Sequence, residues 1–230
     1  MRRLKLLSLF TAALLAVVGP AGAVIIDDFT VGDSVSDTTI GTPVAGAAIP
    51  LGASSVFDTR TITVEMLTNT NLGVAGSTNS AIGGGAWTLG NTIFVTGRST
   101  LSYTTAGSVD LLTGTTGLFR FERLSADVSS TITLVATSAG GNESTAIFDP
   151  GSGGPATLDV LFASFAITGG AGADFSALIA LDISSVADVA AADSAFTLIG
   201  VPEVPEPATL TLFGGALLGL ALLRKRRASK

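Results

Sequence analysis

Cysteine and histidine are both absent from this 230-residue chain. Without cysteine there is no disulfide framework. Without histidine, Ser-His-Asp and Cys-His catalysis are excluded, together with zinc–histidine sites and the commonest general base. Aromatic residues able to stack on a ligand are scarce, with one tryptophan, Trp87, and one tyrosine, Tyr103. Carboxylates are the catalytic groups that remain.

Positive charge is confined to the ends. Of the 12 Lys and Arg, only Arg60, Arg98, Arg120 and Arg123 lie between residues 6 and 223, and none of these is lysine. All 18 acids lie between Asp27 and Glu206, so residues 27–206 carry a net charge of −14. Such a surface repels nucleic acid and anionic lipid. It suits solubility outside the cell and attracts divalent cations. A plain solvated acidic face explains it equally.

The N-terminus has the order of an export signal. Arg2, Arg3 and Lys5 precede an apolar run over residues 6–18, and Ala21 and Ala23 flank Gly22 as small cleavage-site residues. Removal of residues 1–23 by a signal peptidase, after passage through the export translocon, leaves a chain that starts at Val24. The alternative is an uncleaved anchor, for which the apolar run is short.

The C-terminus is more specific. Pro205, Glu206 and Pro207 precede an apolar stretch at residues 208–223, and Arg224, Lys225, Arg226 and Arg227 follow it. Sixteen helical residues reach about 24 Å against roughly 30 Å of hydrocarbon, so spanning requires local thinning and snorkelling by the basic clamp. The clamp keeps the C-terminus on the cytoplasmic side. The two prolines hold an extended segment just outside the membrane. A simple single-pass anchor would share the span and the charges. The full order resembles the PEP-CTERM sorting signal, which exosortases process in Gram-negative bacteria that make exopolysaccharide. The resemblance implies an exosortase partner, a transient membrane anchor, and release at the cell surface or into the extracellular polymer.

Between the ends, apolar residues alternate with polar ones. Ile62, Val64 and Met66 alternate with Thr61, Thr63 and Glu65; Phe119 and Phe121 alternate with Arg120 and Glu122; Ile132, Leu134 and Ala136 alternate with Thr131, Thr133 and Val135. Further strands are expected at residues 24–29, 86–89, 92–95, 100–104, 145–148, 158–162, 177–183 and 195–199. Period two with turn signals every ten or so residues predicts one antiparallel β-sandwich. Residues 31–55 and 69–85 are rich in Gly, Ser, Thr and Asn, and form either long loops or short irregular strands. Residues 187–195 form a short helix or a loop. The predicted organisation is a signal peptide at 1–23, an all-β ectodomain at 24–200, an extended sorting segment at 201–207, a transmembrane helix at 208–223 and a basic tail at 224–230.

Five short segments, Ile25-Ile26-Asp27-Asp28-Phe29, Thr59-Arg60-Thr61-Ile62-Thr63-Val64, Val109-Asp110-Leu111, Phe162-Ala163-Ser164-Phe165 and Asp174-Phe175-Ser176, resemble exported PEP-CTERM ectodomains. They are also similar to jelly-roll, galactose-binding-like domains found among carbohydrate-binding modules. The resemblance implies a jelly-roll-like sandwich more than an activity.

Three constellations are candidates for chemistry. Glu65 and Glu122 are the best pair for a glycoside hydrolase, which needs two carboxylates across one cleft. Asp27 and Asp28 at the first strand, with Asp182 on a late one, are candidate oxygen ligands for a structural calcium ion. Trp87 and Tyr103 are the candidate sugar platforms, with a place in the core as the competing reading for Trp87. The body is expected to be a non-enzymatic surface or matrix protein associated with exopolysaccharide or biofilm. A carbohydrate-binding module is the alternative, and a carboxylate hydrolase ranks below both. No cofactor other than a structural calcium ion is implied, and nucleic acid is not a partner. N-terminal sequencing of protein recovered from the envelope is expected to begin at Val24; recovery with Met1 intact would refute cleavage.

Overall fold

Strand-forming residues separated by glycine-rich turns give the described residues almost nothing but β-structure. The computed structural model describes residues 23–71 and 73–204. The strands are β1 (Val24–Asp27), β2 (Asp33–Asp37), β3 (Val44–Ala45), β4 (Ile49–Pro50), β5 (Thr59–Asn69), β6 (Thr78–Gly83), β7 (Ala86–Asn91), β8 (Val95–Val109), β9 (Leu118–Ala126), β10 (Ser130–Ser138), β11 (Asn142–Phe148), β12 (Ala156–Leu161), β13 (Ala166–Gly169), β14 (Leu178–Ala187) and β15 (Ser194–Val201). One turn of 3-10 helix, Phe162–Ser164, separates β12 from β13.

They form two antiparallel sheets. The seven-stranded sheet runs β12-β9-β15-β7-β6-β2, with β1 also paired to β15. The eight-stranded sheet runs β13-β11-β10-β14-β8-β5-β3, with β4 also paired to β5. Neighbours are mostly not consecutive in sequence, so the chain repeatedly crosses between the sheets. The core lies between them: Ile62, Leu101 and Leu134 from one sheet meet Phe119, Phe121 and Phe196 from the other. The alternation read in the sequence is the alternation of burial, with Ile62, Val64 and Met66 inside and Thr61, Thr63 and Glu65 outside.

Several expectations shift in detail. Residues 92–94 are the turn before β8, not a strand of their own, and Phe94 sits there at φ 72°. Residues 31–55 carry β2, β3 and β4, and residues 69–85 carry β6. Residues 188–191 are bend and turn and 192–193 irregular, so a loop joins β14 to β15. The expected signal helix and cleavage residue Ala21, the tripeptide Pro205, Glu206 and Pro207, the span at 208–223 and the tetrad Arg224 to Arg227 lie outside the described residues. Among the described residues no helix is long and apolar enough to cross a membrane.

Glycine is required at two kinds of place. Gly84 and Gly85 form the two-residue turn between β6 and β7, at φ 61° and 79°. Two successive positive φ values match the twist of a tight hairpin. Gly97 on β8 lies against Thr78 and Asn91 of the other sheet, and a Cβ there would overlap the Thr78 side chain and lie 2.6 Å from Asn91 Oδ1. Gly97→Ala is expected to destabilise the body by about 1–3 kcal/mol through overpacking. Denaturant melts of the variant check this, and an unchanged midpoint would refute the close approach.

Candidate functional site

Arg60 shares its face of β5 with Ile62 and Val64, so it points into the core. There it is fully buried and meets Asp27, at the end of β1, with Nη1 to Oδ2 at 2.5 Å. Arg60 Nη2 donates to the Val31 carbonyl at 2.6 Å. Tyr103, the β8 residue directly opposite Arg60, donates its hydroxyl to the same Asp27 oxygen at 3.1 Å. Asp27 Oδ1 accepts the Phe29 N–H at 2.7 Å, closing a local turn in which Phe29 adopts φ 56°. Both carboxylate oxygens of Asp27 are thus filled by protein donors.

This geometry corrects the expected calcium site. Asp27 is sealed and paired, and Asp28 Oδ1 is engaged by the Thr30 N–H and hydroxyl. Asp182 lies on the outer face of the eight-stranded sheet, opposite Ser102 and Val135, with that sheet between it and Asp27. The three carboxylates do not converge. Among the described residues no group of three acidic residues is placed to hold a metal ion.

The expected sugar platforms are corrected in the same way. Trp87 is 1% exposed, its ring centroid 5.4 Å from Phe196 and 6.4 Å from Phe29. Its Nε1 donates to Ser80 Oγ at 3.0 Å and Ser99 Oγ at 3.3 Å. Tyr103 is fully buried, 5.9 Å from Phe57. Neither ring offers a face to solvent. Trp87 shares the inward parity of Leu89 on β7, so the hairpin carries it into the core.

Glu65 and Glu122 are not brought together either. Glu65 is on the outer face of the eight-stranded sheet and pairs with Arg98 at 3.3 Å. Glu122 is on the outer face of the seven-stranded sheet and accepts the Thr157 hydroxyl at 2.9 Å. Two carboxylates on opposite outsides of a sandwich cannot flank one glycosidic bond.

The eight-stranded sheet does present an ordered polar surface. Thr63 on β5 lies opposite Thr100 on β8, Thr100 opposite Ser184 on β14, and Ser184 opposite Thr133 on β10. All four are half-buried and point outward, so one rung of hydroxyls crosses four strands. At about 4.8 Å per strand the rung is roughly 14 Å long. Sequence alternation gave Thr63 and Thr133 the face opposite their apolar neighbours, and the register brings Thr100 and Ser184 into line with them.

Residues 203–227 match the model of the PEP-CTERM protein-sorting motif. The chain carries this motif at its C-terminal end, and the motif implies exosortase-dependent export with processing at the membrane. No curated protein sequence matches the chain. Among solved structures it is similar to PfGH50B at 12% identity and a TM-score of 0.41, covering 63% of this chain and 23% of that one. It is also similar to a family 11 carbohydrate-binding module from Clostridium thermocellum, solved in complex with a beta-1,3-1,4-mixed-linked tetrasaccharide. That likeness has 14% identity and a TM-score of 0.43, covering 82% of this chain and 99% of that one. A third similarity is to an agarase, at 9% identity and a TM-score of 0.40, covering 56% of this chain and 22% of that one. The chain therefore spans less than a quarter of the length of PfGH50B and of the agarase.

Burial pushes the Tyr103 hydroxyl well above its ordinary value of 10.0; the Asp27 charge adds to the rise and Arg60 opposes it. The folded state therefore keeps the neutral phenol while the unfolded chain begins to ionise near 10. The corresponding stability is present below pH 10 and is lost as pH rises beyond it. Because Tyr103 is the single tyrosine, tyrosinate absorbance reads this group alone. The signal is expected to appear only with unfolding, and Tyr103→Phe should remove this alkaline contribution while weakening the neutral-pH fold by about 1 kcal/mol. Tyrosinate appearing near pH 10 in a protein that still melts cooperatively would refute the burial.

Proposed function

We propose that this chain is an exported surface or extracellular-matrix protein, processed by an exosortase at its C-terminal motif, whose body binds or packs and performs no catalysis. The observation that carries the reading is the sorting motif at 203–227, attached directly to a closed β-sandwich. The acidic, lysine-free body supports residence outside the cell, where solubility does not depend on contact with anionic lipid. The separation of Glu65 and Glu122 supports a role without carboxylate catalysis. On this reading the chain crosses the inner membrane of a Gram-negative cell and loses residues 1–23. It is held briefly by residues 208–223 and then joins the exopolysaccharide or biofilm layer.

The hydroxyl rung on the eight-stranded sheet favours a second reading, in which the body holds a neutral glycan across its strands. Thr63, Thr100, Ser184 and Thr133 offer donors and acceptors at strand spacing, and the adjacent Glu65–Arg98 pair has no net charge.

Expression of the full chain with and without an exosortase tests the first reading. Mass spectrometry of the released protein is expected to show loss of residues 208–223 only when the enzyme is present. Equal retention of that segment in both hosts would overturn it. Binding of the released body to neutral and acidic glycans, with calcium or chelator, tests the second. Saturable binding to a neutral glycan, weakened several-fold in the Thr63→Val/Thr100→Val variant, supports the rung; binding unchanged in that variant excludes it.

A further inference from the structure

The outer face of the eight-stranded sheet carries two kinds of polar side chain. Around its margins they are tied to one another. Thr59 bonds Thr104 and Thr68 bonds Thr96, each at 2.7 Å, and Thr145 bonds Thr168 at 3.0 Å. Thr131 donates to Asp188 at 3.1 Å, and Arg98 pairs with Glu65 at 3.3 Å. The middle of the face is different. Among the described residues, no side-chain hydrogen bond engages the four hydroxyls of the rung, Ser102 or Asp182.

The register sets Asp182 beside the rung. It lies opposite Ser102 on one side and Val135 on the other, with the rung residue Ser184 two positions along β14. Thr61 lies opposite Ser102, so a second polar row runs parallel to the rung about 7 Å away. β14 is an interior strand, between β10 and β8, and Asp182 on it is half-buried. A carboxylate partly withdrawn from water costs free energy unless donors meet it. No contact among the described residues uses its charge. Apolar residues complete the face: Val135 beside Asp182, and Ile147, 67% exposed, opposite Thr133. A sugar ring presents hydroxyls together with weakly hydrated C–H groups, and this face offers partners for both. An acidic chain would meet the Asp182 charge with every arginine of the body already engaged.

The geometry points to Asp182 as the residue that sets the specificity of this face: its carboxylate accepts two adjacent hydroxyls of a neutral sugar ring lying across β8 and β14, while Ser102 and the rung hydroxyls meet the others. This rests on the neutral-glycan reading above and adds a requirement to it, that the glycan offer an adjacent hydroxyl pair. Hydrogen bonds to an ionised acceptor are roughly twice as strong as neutral ones. Loss of that acceptor is expected to weaken binding about tenfold.

The test uses the full chain in detergent. The probes are dextran, galactomannan and xyloglucan, whose rings carry adjacent free hydroxyls, laminarin, whose internal rings carry none, and polylysine. Asp182→Asn keeps the shape and removes the charge. Glu122→Gln removes the same charge from the outer face of the opposite sheet. The expected result is saturable binding of at least one of the first three glycans, weak binding of laminarin, and about tenfold loss in Asp182→Asn. Glu122→Gln should bind as wild type, and both variants should keep the wild-type melting temperature. Binding unchanged in Asp182→Asn but weakened in Thr63→Val/Thr100→Val would overturn the inference and leave the rung reading intact. Laminarin bound as tightly as the other glycans would also overturn it. Polylysine bound more tightly than any glycan, and released by Asp182→Asn, would replace the sugar with a cationic partner. No saturable binding of any neutral glycan would overturn the glycan reading and this inference with it.

Discussion

The buried ion pair between Asp27 and Arg60 is the constraint on which the rest of the body depends. Removing two charges from water costs several kcal/mol per ion, and attraction offsets this only when geometry is good and the remaining polar atoms are satisfied. Here Asp27 gains donors from Phe29, Arg60 and Tyr103, while Arg60 Nε alone has no partner. The pair joins β1, in one sheet, to β5 and β8, in the other. It therefore fixes how the sheets face each other as well as where the first strand lies. Loss of either partner would leave a buried, uncompensated charge, a change that costs about 3–5 kcal/mol. Two further polar links reach between the same layers. Ser99 on β8 donates to Ser80 on β6 at 2.7 Å, and buried Asp37 on β2 accepts the Met66 N–H of β5 at 2.7 Å. Hydrophobic area closes the sandwich, and these directional contacts choose its register.

Pinning β1 has a consequence at the ends of the chain. Val24, the expected first residue after export, pairs with Val201, the last residue of β15. The first described strand and the last, β1 and β15, are thereby held side by side within one sheet.

The fold was legible where a strand has one buried face. Ile62, Val64 and Met66, or Phe119 and Phe121, announce both the strand and its inward side. The inward turn of Arg60 and Arg123 was also written in the sequence, because each shares parity with apolar neighbours. What they bind was not: Asp27 is 33 residues from Arg60, and the Pro150 and Gly154 carbonyls that hold Arg123 lie in a loop after two intervening strands. β2 was hidden for a different reason. Its sequence, Asp-Ser-Val-Ser-Asp, buries Val35 and Asp37, and a buried acid looks polar until its backbone donor is seen. The candidate sites failed on the same point. Trp87 and Tyr103 were chosen for chemistry, but their hydrogen-bonding atoms find partners inside the sandwich, which makes burial affordable for each ring. The sorting tail needed no tertiary information, since order along the chain is itself the signal.

Charge shows how the body can meet a partner. Each of its four arginines is already engaged: Arg60 with Asp27, Arg98 with Glu65, Arg120 bidentately with Asp159 at 2.8 Å, and Arg123 with the Pro150 and Gly154 carbonyls. Many acids are tied locally. Hydrogen bonds from Thr113, Ser129 and Ser176 hold Asp110, Asp149 and Asp174 below the ordinary carboxylate value of 3.8. They therefore stay ionised at neutral pH, and their contribution to stability is lost only as pH falls below 3.8 towards their folded-state values. These three charges thus persist at neutral pH, and the four cations are committed to contacts within the fold. An acidic polymer would meet repulsion unless a divalent cation lies between, whereas a neutral polyhydroxylated chain would meet none at the Thr63–Thr133 rung. The lack of lysine adds a chemical limit. Between residues 24 and 204 no side-chain amine exists to accept an acyl group, so a transfer reaction at the sorting motif cannot join one body to a lysine of another.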